Sequence, residues 1–146
     1  MIRVCLVDDQ TLVRQGIRSL LELSDNIRIV AEAGDGKQAL DKIAEVRPDV
    51  VLLDMRMPVM GGIETLQHLS QRGDLPPTII LTTFDDDQMV LQGIKLGARG
   101  FLLCQALLLG LRLGLPIGID VQAWGGGVGG RVRVGHCGSV RWGPGV

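Results

Sequence analysis

The feature that most constrains this chain is an apolar run that ends in a carboxylate: Val50-Val51-Leu52-Leu53-Asp54, followed by Met55-Arg56-Met57-Pro58. Four apolar residues without polar alternation predict a strand buried on both faces, as in a parallel sheet covered by helices on each side. Pro58 and Gly61-Gly62 then predict a loop. Ligands of open α/β sheets bind at the carboxyl ends of the strands, so Asp54 is placed for chemistry at a sheet rim. The pattern recurs twice: Arg3-Val4-Cys5-Leu6-Val7 runs into Asp8-Asp9, and Thr78-Ile79-Ile80-Leu81 runs into Thr82-Thr83. Parallel strands expose these ends on one edge, so Asp8, Asp9, Asp54 and Thr82 can converge. Carboxylates gathered in one pocket repel one another unless a cation sits among them. A hard divalent ion such as Mg2+, held by one to three carboxylates with waters retained, answers that need. Such an ion also bridges an incoming phosphoryl oxygen.

Between these strands the apolar spacing is helical. The first helix is expected to start from a cap at Asp9 or Thr11 and run to about Leu23, with Leu12, Val13, Ile17, Leu20 and Leu21 inward. Ile27 to Ala33 alternates as a half-buried strand, and Gly34-Asp35-Gly36 breaks it. A helix over Lys37–Val46 would bury Ala39, Leu40, Ile43 and Ala44; another, Ile63 to about Gln71, would turn Ile63, Leu66 and Leu69 inward. Asp85-Asp86-Asp87 suits the positive end of a fourth helix, which runs through Met89, Val90, Ile94 and Leu96 to a cap at Gly97. Phe101 to Leu103 makes the fifth strand. The expected fold class is therefore α/β: a doubly wound five-stranded parallel sheet of order 2-1-3-4-5, with the site at the switch between strands 1 and 3.

The constellation resembles the receiver domain of two-component response regulators, a flavodoxin-like fold, over roughly Met1 to Leu103. The wording Asp54-Met55-Arg56-Met57-Pro58 and Leu81-Thr82-Thr83-Phe84-Asp85 is most similar to the subfamily with a C-terminal LuxR/NarL-type helix-turn-helix. The resemblance implies that Asp54 is the phospho-acceptor, that Asp8 and Asp9 with Asp54 hold Mg2+, and that Arg56 adds its backbone carbonyl. It implies that Thr82 is the switch hydroxyl and Phe101 the switch aromatic. It further implies a sensor histidine kinase as phosphoryl donor, a receiver homodimer, a DNA-binding output controlling transcription, a cytoplasmic location, and no enzymatic activity beyond the domain's own phosphorylation and dephosphorylation. Cys104 stands where the family has a lysine, with neither its charge nor its reach. That departure carries an alternative, a pseudo-receiver acting as a phosphorylation-independent interaction module. An aspartate-nucleophile phosphatase is a poorer match, because that class resembles a strand ending in two aspartates spaced one apart, and here Met55 and Arg56 follow Asp54.

Composition divides the chain after residue 104. Residues 1–104 hold eleven basic and fifteen acidic side chains; residues 105–146 hold four arginines, one aspartate and twelve of the 21 glycines. The receiver is accordingly assigned to 1–104. The segment 105–146 is read as an aberrant tail, apolar and then Gly/Arg-rich, poorly ordered, with the fifth helix absent or degraded and the helix-turn-helix missing. Without a proper fifth helix the homodimer should be weakened. The Gly/Arg/Val/Trp bias and the abrupt loss of pattern point to a shifted reading frame in GC-rich DNA. The apolar run from Phe101 to Ile119 is broken by Gln105, Arg112 and Pro116, which argues against a membrane span. Four arginines in a glycine-rich tail offer only weak non-specific attraction to DNA. Three scattered cysteines, Cys5, Cys104 and Cys137, form neither a disulfide framework nor a zinc site and fit a reducing compartment.

Overall fold

The computed structural model describes residues 1–82 and 87–103, and the backbone of 117–124, 127–134 and 138–142. The first part alternates strand and helix as the apolar pattern requires: β1 (Ile2–Val7), α1 (Thr11–Leu21), β2 (Ile27–Ala33), α2 (Gly36–Val46), β3 (Val50–Asp54), α3 (Gly62–Arg72), β4 (Thr78–Thr82), α4 (Asp87–Lys95) and β5 (Gly100–Leu103). All five strands pair in parallel, in the order β2-β1-β3-β4-β5. This is the expected doubly wound, flavodoxin-like sheet. Residues 104–116, where the lost lysine and the fifth helix were expected, lie outside the described residues.

The two-residue repeat of the strands divides the core between the faces of the sheet. Val4, Leu6, Val50, Leu52, Ile79 and Leu81 pack on one face with Ile17, Leu20 and Leu21 of α1. Cys5, Val7, Val51, Leu53 and Ile80 pack on the other with α2, α3 and α4, through Ala39, Leu40, Ile43, Leu66, Leu69 and Val90. The central strands are almost dry, since Val4 to Val7 and Val50 to Leu53 expose 0–1% of their surface. The unbroken apolar runs are therefore what two-sided burial demands.

Helix faces are less faithful to the sequence expectation. Leu12 is 83% exposed rather than buried. It lies five residues before Ile17, about 140° around the helix from the buried stripe at ~100° per residue. Ala44 is also exposed, because it stands one position past the buried Ile43. Ile94 faces solvent as well. The start of α1 is neither Asp9 nor Thr11: Gln10 is the cap residue and makes no side-chain capping bond. By contrast, Asp35 caps α2 by accepting the Gln38 N–H at 2.8 Å. The far end of α2 turns on Arg47 in the left-handed region, φ 46°. The Arg3 guanidinium donates there to the carbonyls of Val46 (2.7 Å) and Arg47 (3.0 Å), tying the helix end to β1.

Three further strands, β6 (Ile117–Trp124), β7 (Gly127–Val134) and β8 (Gly138–Trp142), form a separate antiparallel sheet of order β6-β7-β8. The sequence reading expected little order here because of the glycines. A two-residue rhythm is nevertheless present, in Ile117, Ile119, Val121 and Ala123, and again in Val132 and Val134. Among the described residues no helix is long and apolar enough to cross a membrane.

Candidate functional site

The register sets the site. Val7 pairs with Leu53, so the residues that follow, Asp8 and Asp54, leave the sheet side by side. One carboxylate oxygen from each of Asp8, Asp9 and Asp54 lies within 4.8 Å of the other two. Asp8 is 3% exposed, Asp54 is partly buried and Asp9 is exposed. Backbone amides hold this rim. The Asp8 N–H donates to the Ala33 carbonyl at 3.1 Å. The Asp8 Oδ1 accepts the Gln10 N–H at 2.8 Å, and the Asp54 Oδ1 accepts the Arg56 N–H at 3.3 Å.

These few donors do not offset what the carboxylates lose. Burial, and secondly the negative charge of Asp8, push the Asp54 carboxyl up to about 7 from an ordinary 3.8; the Arg56 and Met55 amides and the Asp9 charge are lesser influences. Asp8 is raised too, first by burial, against the Gln10 amide and the Arg14 charge. Asp8 and Asp54, both pushed toward protonation by desolvation and repulsion, stand beside the Asp9 carboxylate as a donor set a hard oxygen-seeking cation fits.

The loop that follows Asp54 is shaped by close backbone approach. At Gly62 a Cβ would lie 2.6 Å from the Asp54 carbonyl oxygen and 2.8 Å from the Met55 Cα, so only glycine lets α3 begin against the end of β3. The Gly62 N–H donates to the Met55 carbonyl at 3.0 Å. Between them Val59 adopts φ 67°, and the Met60 N–H donates to the Pro58 carbonyl at 2.7 Å. That is a γ-turn of the strained, positive-φ kind, here on an exposed β-branched residue. The Met60 carbonyl in turn accepts the Gly36 N–H at 2.9 Å, joining the loop to α2.

Of the residues singled out in the sequence, Asp8, Asp9 and Asp54 are brought together. Thr82 ends β4 at the same rim, 3% exposed and one residue beyond Leu81, the partner of Asp54. Phe101 is placed apart from the acids: it pairs with Ile80 on the next strand, two residues short of the level of Thr82, and is 41% exposed. Arg56 gives its N–H to Asp54. Cys104 lies outside the described residues. The sequence reading missed Arg14, whose guanidinium Nη1 donates to the Asp8 carbonyl. Its position six residues after Asp8 puts it in the second turn of α1, which is the only signal that could have indicated it.

An acidic triad on a 2-1-3-4-5 parallel sheet defines a class, and comparison with known proteins agrees. The family model of the response regulator receiver domain matches residues 4–106, and the chain belongs to that family. The transcriptional regulatory protein YdfI of Bacillus subtilis is 42% identical over 101 residues, covering 69% of this chain and 47% of the relative. The nitrate/nitrite response regulator protein NarP of Escherichia coli is 45% identical over 101 residues, with the same coverage of 69% and 47%. Among solved structures, the signal receiver domain of a response regulator designated NarL from Mycobacterium tuberculosis superposes with a TM-score of 0.66 at 37% identity, covering 70% of this chain and 83% of that one. The chain is thus a receiver domain similar to those of NarL/LuxR-type response regulators. It spans about half the length of the curated relatives it matches.

Proposed function

We propose that the chain is a phospho-accepting receiver whose acceptor is Asp54 and whose donor is a phosphohistidine on a sensor histidine kinase. The observation that carries this is the juxtaposition of Asp8, Asp9 and the partly buried Asp54 at one sheet rim. An oxygen of the ionised Asp54 carboxylate attacks phosphorus. The phosphorus–nitrogen bond breaks, its electron pair returns to the imidazole, and an acyl phosphate remains on Asp54. Asp8, Asp9 and Asp54 would hold Mg2+, together with the Arg56 carbonyl. Bound there, the ion supplies charge neutralisation to both the acids and the phosphoryl oxygens. The Thr82 hydroxyl then binds a phosphoryl oxygen, and Phe101 changes its packing in response, which biases a two-state surface.

In this reading the receiver occupies 1–104, with 105–146 as a separate segment. The module works in the cytoplasm as part of a transcription-regulating system, and its homodimer is weakened where the fifth helix is altered. DNA is reached only through an output domain. YdfI, a transcriptional regulatory protein, and NarP, a nitrate/nitrite response regulator, support that setting. The test is intact mass after incubation with acetyl phosphate and Mg2+. One phosphoryl adduct is expected on the parent, with none on Asp54→Ala and none when the cation is chelated. A parent that binds Mg2+ but gains no adduct would move the assignment to a pseudo-receiver.

A further inference from the structure

We infer that Arg14 is a positioning residue for the acidic rim, fixing the Asp8-Asp9 loop from behind and so setting its affinity for a divalent cation. The metal part of this rests on the phospho-acceptor reading; the positioning part does not. The loop between β1 and α1 is held by the Asp8 bonds to Gln10 and Ala33, but its cap residue, Gln10, makes no side-chain capping bond and α1 has no acidic residue in its first turn. Arg14 supplies a further restraint. Its Nη1 donates to the Asp8 carbonyl and its Nη2 to the Thr11 hydroxyl at 3.4 Å, so one planar fork grips both sides of the loop.

The fork is itself held. Its Nε lies 3.7 Å from Glu32 Oε1 on β2, and Glu32 Oε2 is held by Arg18 Nη1 at 2.6 Å. Arg18 also pairs with Glu22 one turn further along α1. The Arg14 side chain is only 18% exposed, held by its bonds to the Asp8 carbonyl and the Thr11 hydroxyl and by its pairing with Glu32. A chain of ion pairs and hydrogen bonds therefore runs from Arg18 through Glu32 and Arg14 to the backbone of Asp8. A partner that fixes a ligand residue without touching the metal is worth about 10–100-fold in affinity elsewhere.

Two readouts test this on the full chain. In metal-free protein, Arg14→Ala should shift the amide resonances of Asp9 and Gln10 while leaving those of β4 in place. By calorimetry, Arg14→Ala should weaken Mg2+ binding about 10-fold, with Arg14→Lys intermediate because it keeps one donor for the carbonyl and loses the fork. If Arg14→Ala fails to fold, Glu32→Gln, which removes the charge holding Arg14, should weaken Mg2+ binding in the same direction but by less than the roughly 10-fold expected of an outer-shell partner. Unshifted Asp9 and Gln10 amides, or parent-like Mg2+ affinity in a folded variant, would overturn the inference. A parent that binds no Mg2+ would instead refute the metal reading, and the amide shifts would still decide the role of Arg14.

Discussion

Asp54→Asn should make the metal-free protein more stable at pH 8 and leave it nearly unchanged at pH 4. In the folded chain the Asp54 carboxyl is raised from 3.8 to about 7, by burial and then by the charge of Asp8. A carboxyl raised on folding binds its proton more tightly in the native state. Its favourable contribution is complete below the unfolded value and is lost as pH rises through the folded one. At about 1.4 kcal/mol per pH unit, the interval from 3.8 to about 7 corresponds to at most about 4 kcal/mol. Asp54 keeps part of its surface in water, and screening halves this to roughly 2 kcal/mol. Asparagine keeps the shape and the oxygen that accepts the Arg56 N–H, but it carries no charge to desolvate. Urea denaturation of both proteins in chelator, between pH 4 and pH 8, should show the gap open through that interval. Saturating Mg2+ should then stabilise the parent by about 2.7 kcal/mol at 100 times its dissociation constant, and the variant by much less. A variant no more stable than the parent at pH 8, or a gap independent of pH, would refute the electrostatic account of the site.

Val59→Gly should stabilise the fold by about 1 kcal/mol. A β-branched residue at φ 67° costs ~1–3 kcal/mol, glycine's extra freedom takes back ~0.5–1, and Val59 is 78% exposed, so little burial is lost. Thermal melting should rise by about 4–8 °C; an unchanged or lower midpoint would count against strain at this turn. Gly62→Ala should destabilise by about 2 kcal/mol, because the new Cβ meets backbone atoms of Asp54 and Met55 that cannot move independently of β3. The urea midpoint reports that loss, and slower phosphorylation should accompany it because the acceptor's own backbone is displaced.

The sheet and its acidic rim were legible because the relevant physics is local in sequence. A parallel strand buried on both faces must be a continuous apolar run, and Val4 to Val7, Val50 to Leu53 and Ile79 to Leu81 are such runs. Asp8, Asp54 and Thr82 end them, so their convergence followed from strand polarity alone. Helix faces were harder to read. Leu12 and Ala44 are apolar but lie off the buried stripe, and nothing in composition distinguishes them from Ile17 or Ile43. The Arg14–Glu32 pair was invisible, since its members sit eighteen positions apart on α1 and β2 and meet only when those elements pack. The backbone of Val59 was equally hidden, because a β-branched residue gives no sequence warning of positive φ. In β6 to β8 the glycine content masked an alternation that the backbone pairing follows.

The most direct test of the central claim is to locate the phosphoryl group itself. After incubation with acetyl phosphate and Mg2+, borohydride reduces an acyl phosphate to an alcohol, turning the phosphorylated aspartate into homoserine, and peptide mass spectrometry reads the position. Homoserine at position 54 alone, dependent on both donor and Mg2+, is the predicted result. Conversion at Asp8 or Asp9, or none at Asp54 in protein that binds Mg2+, would contradict it.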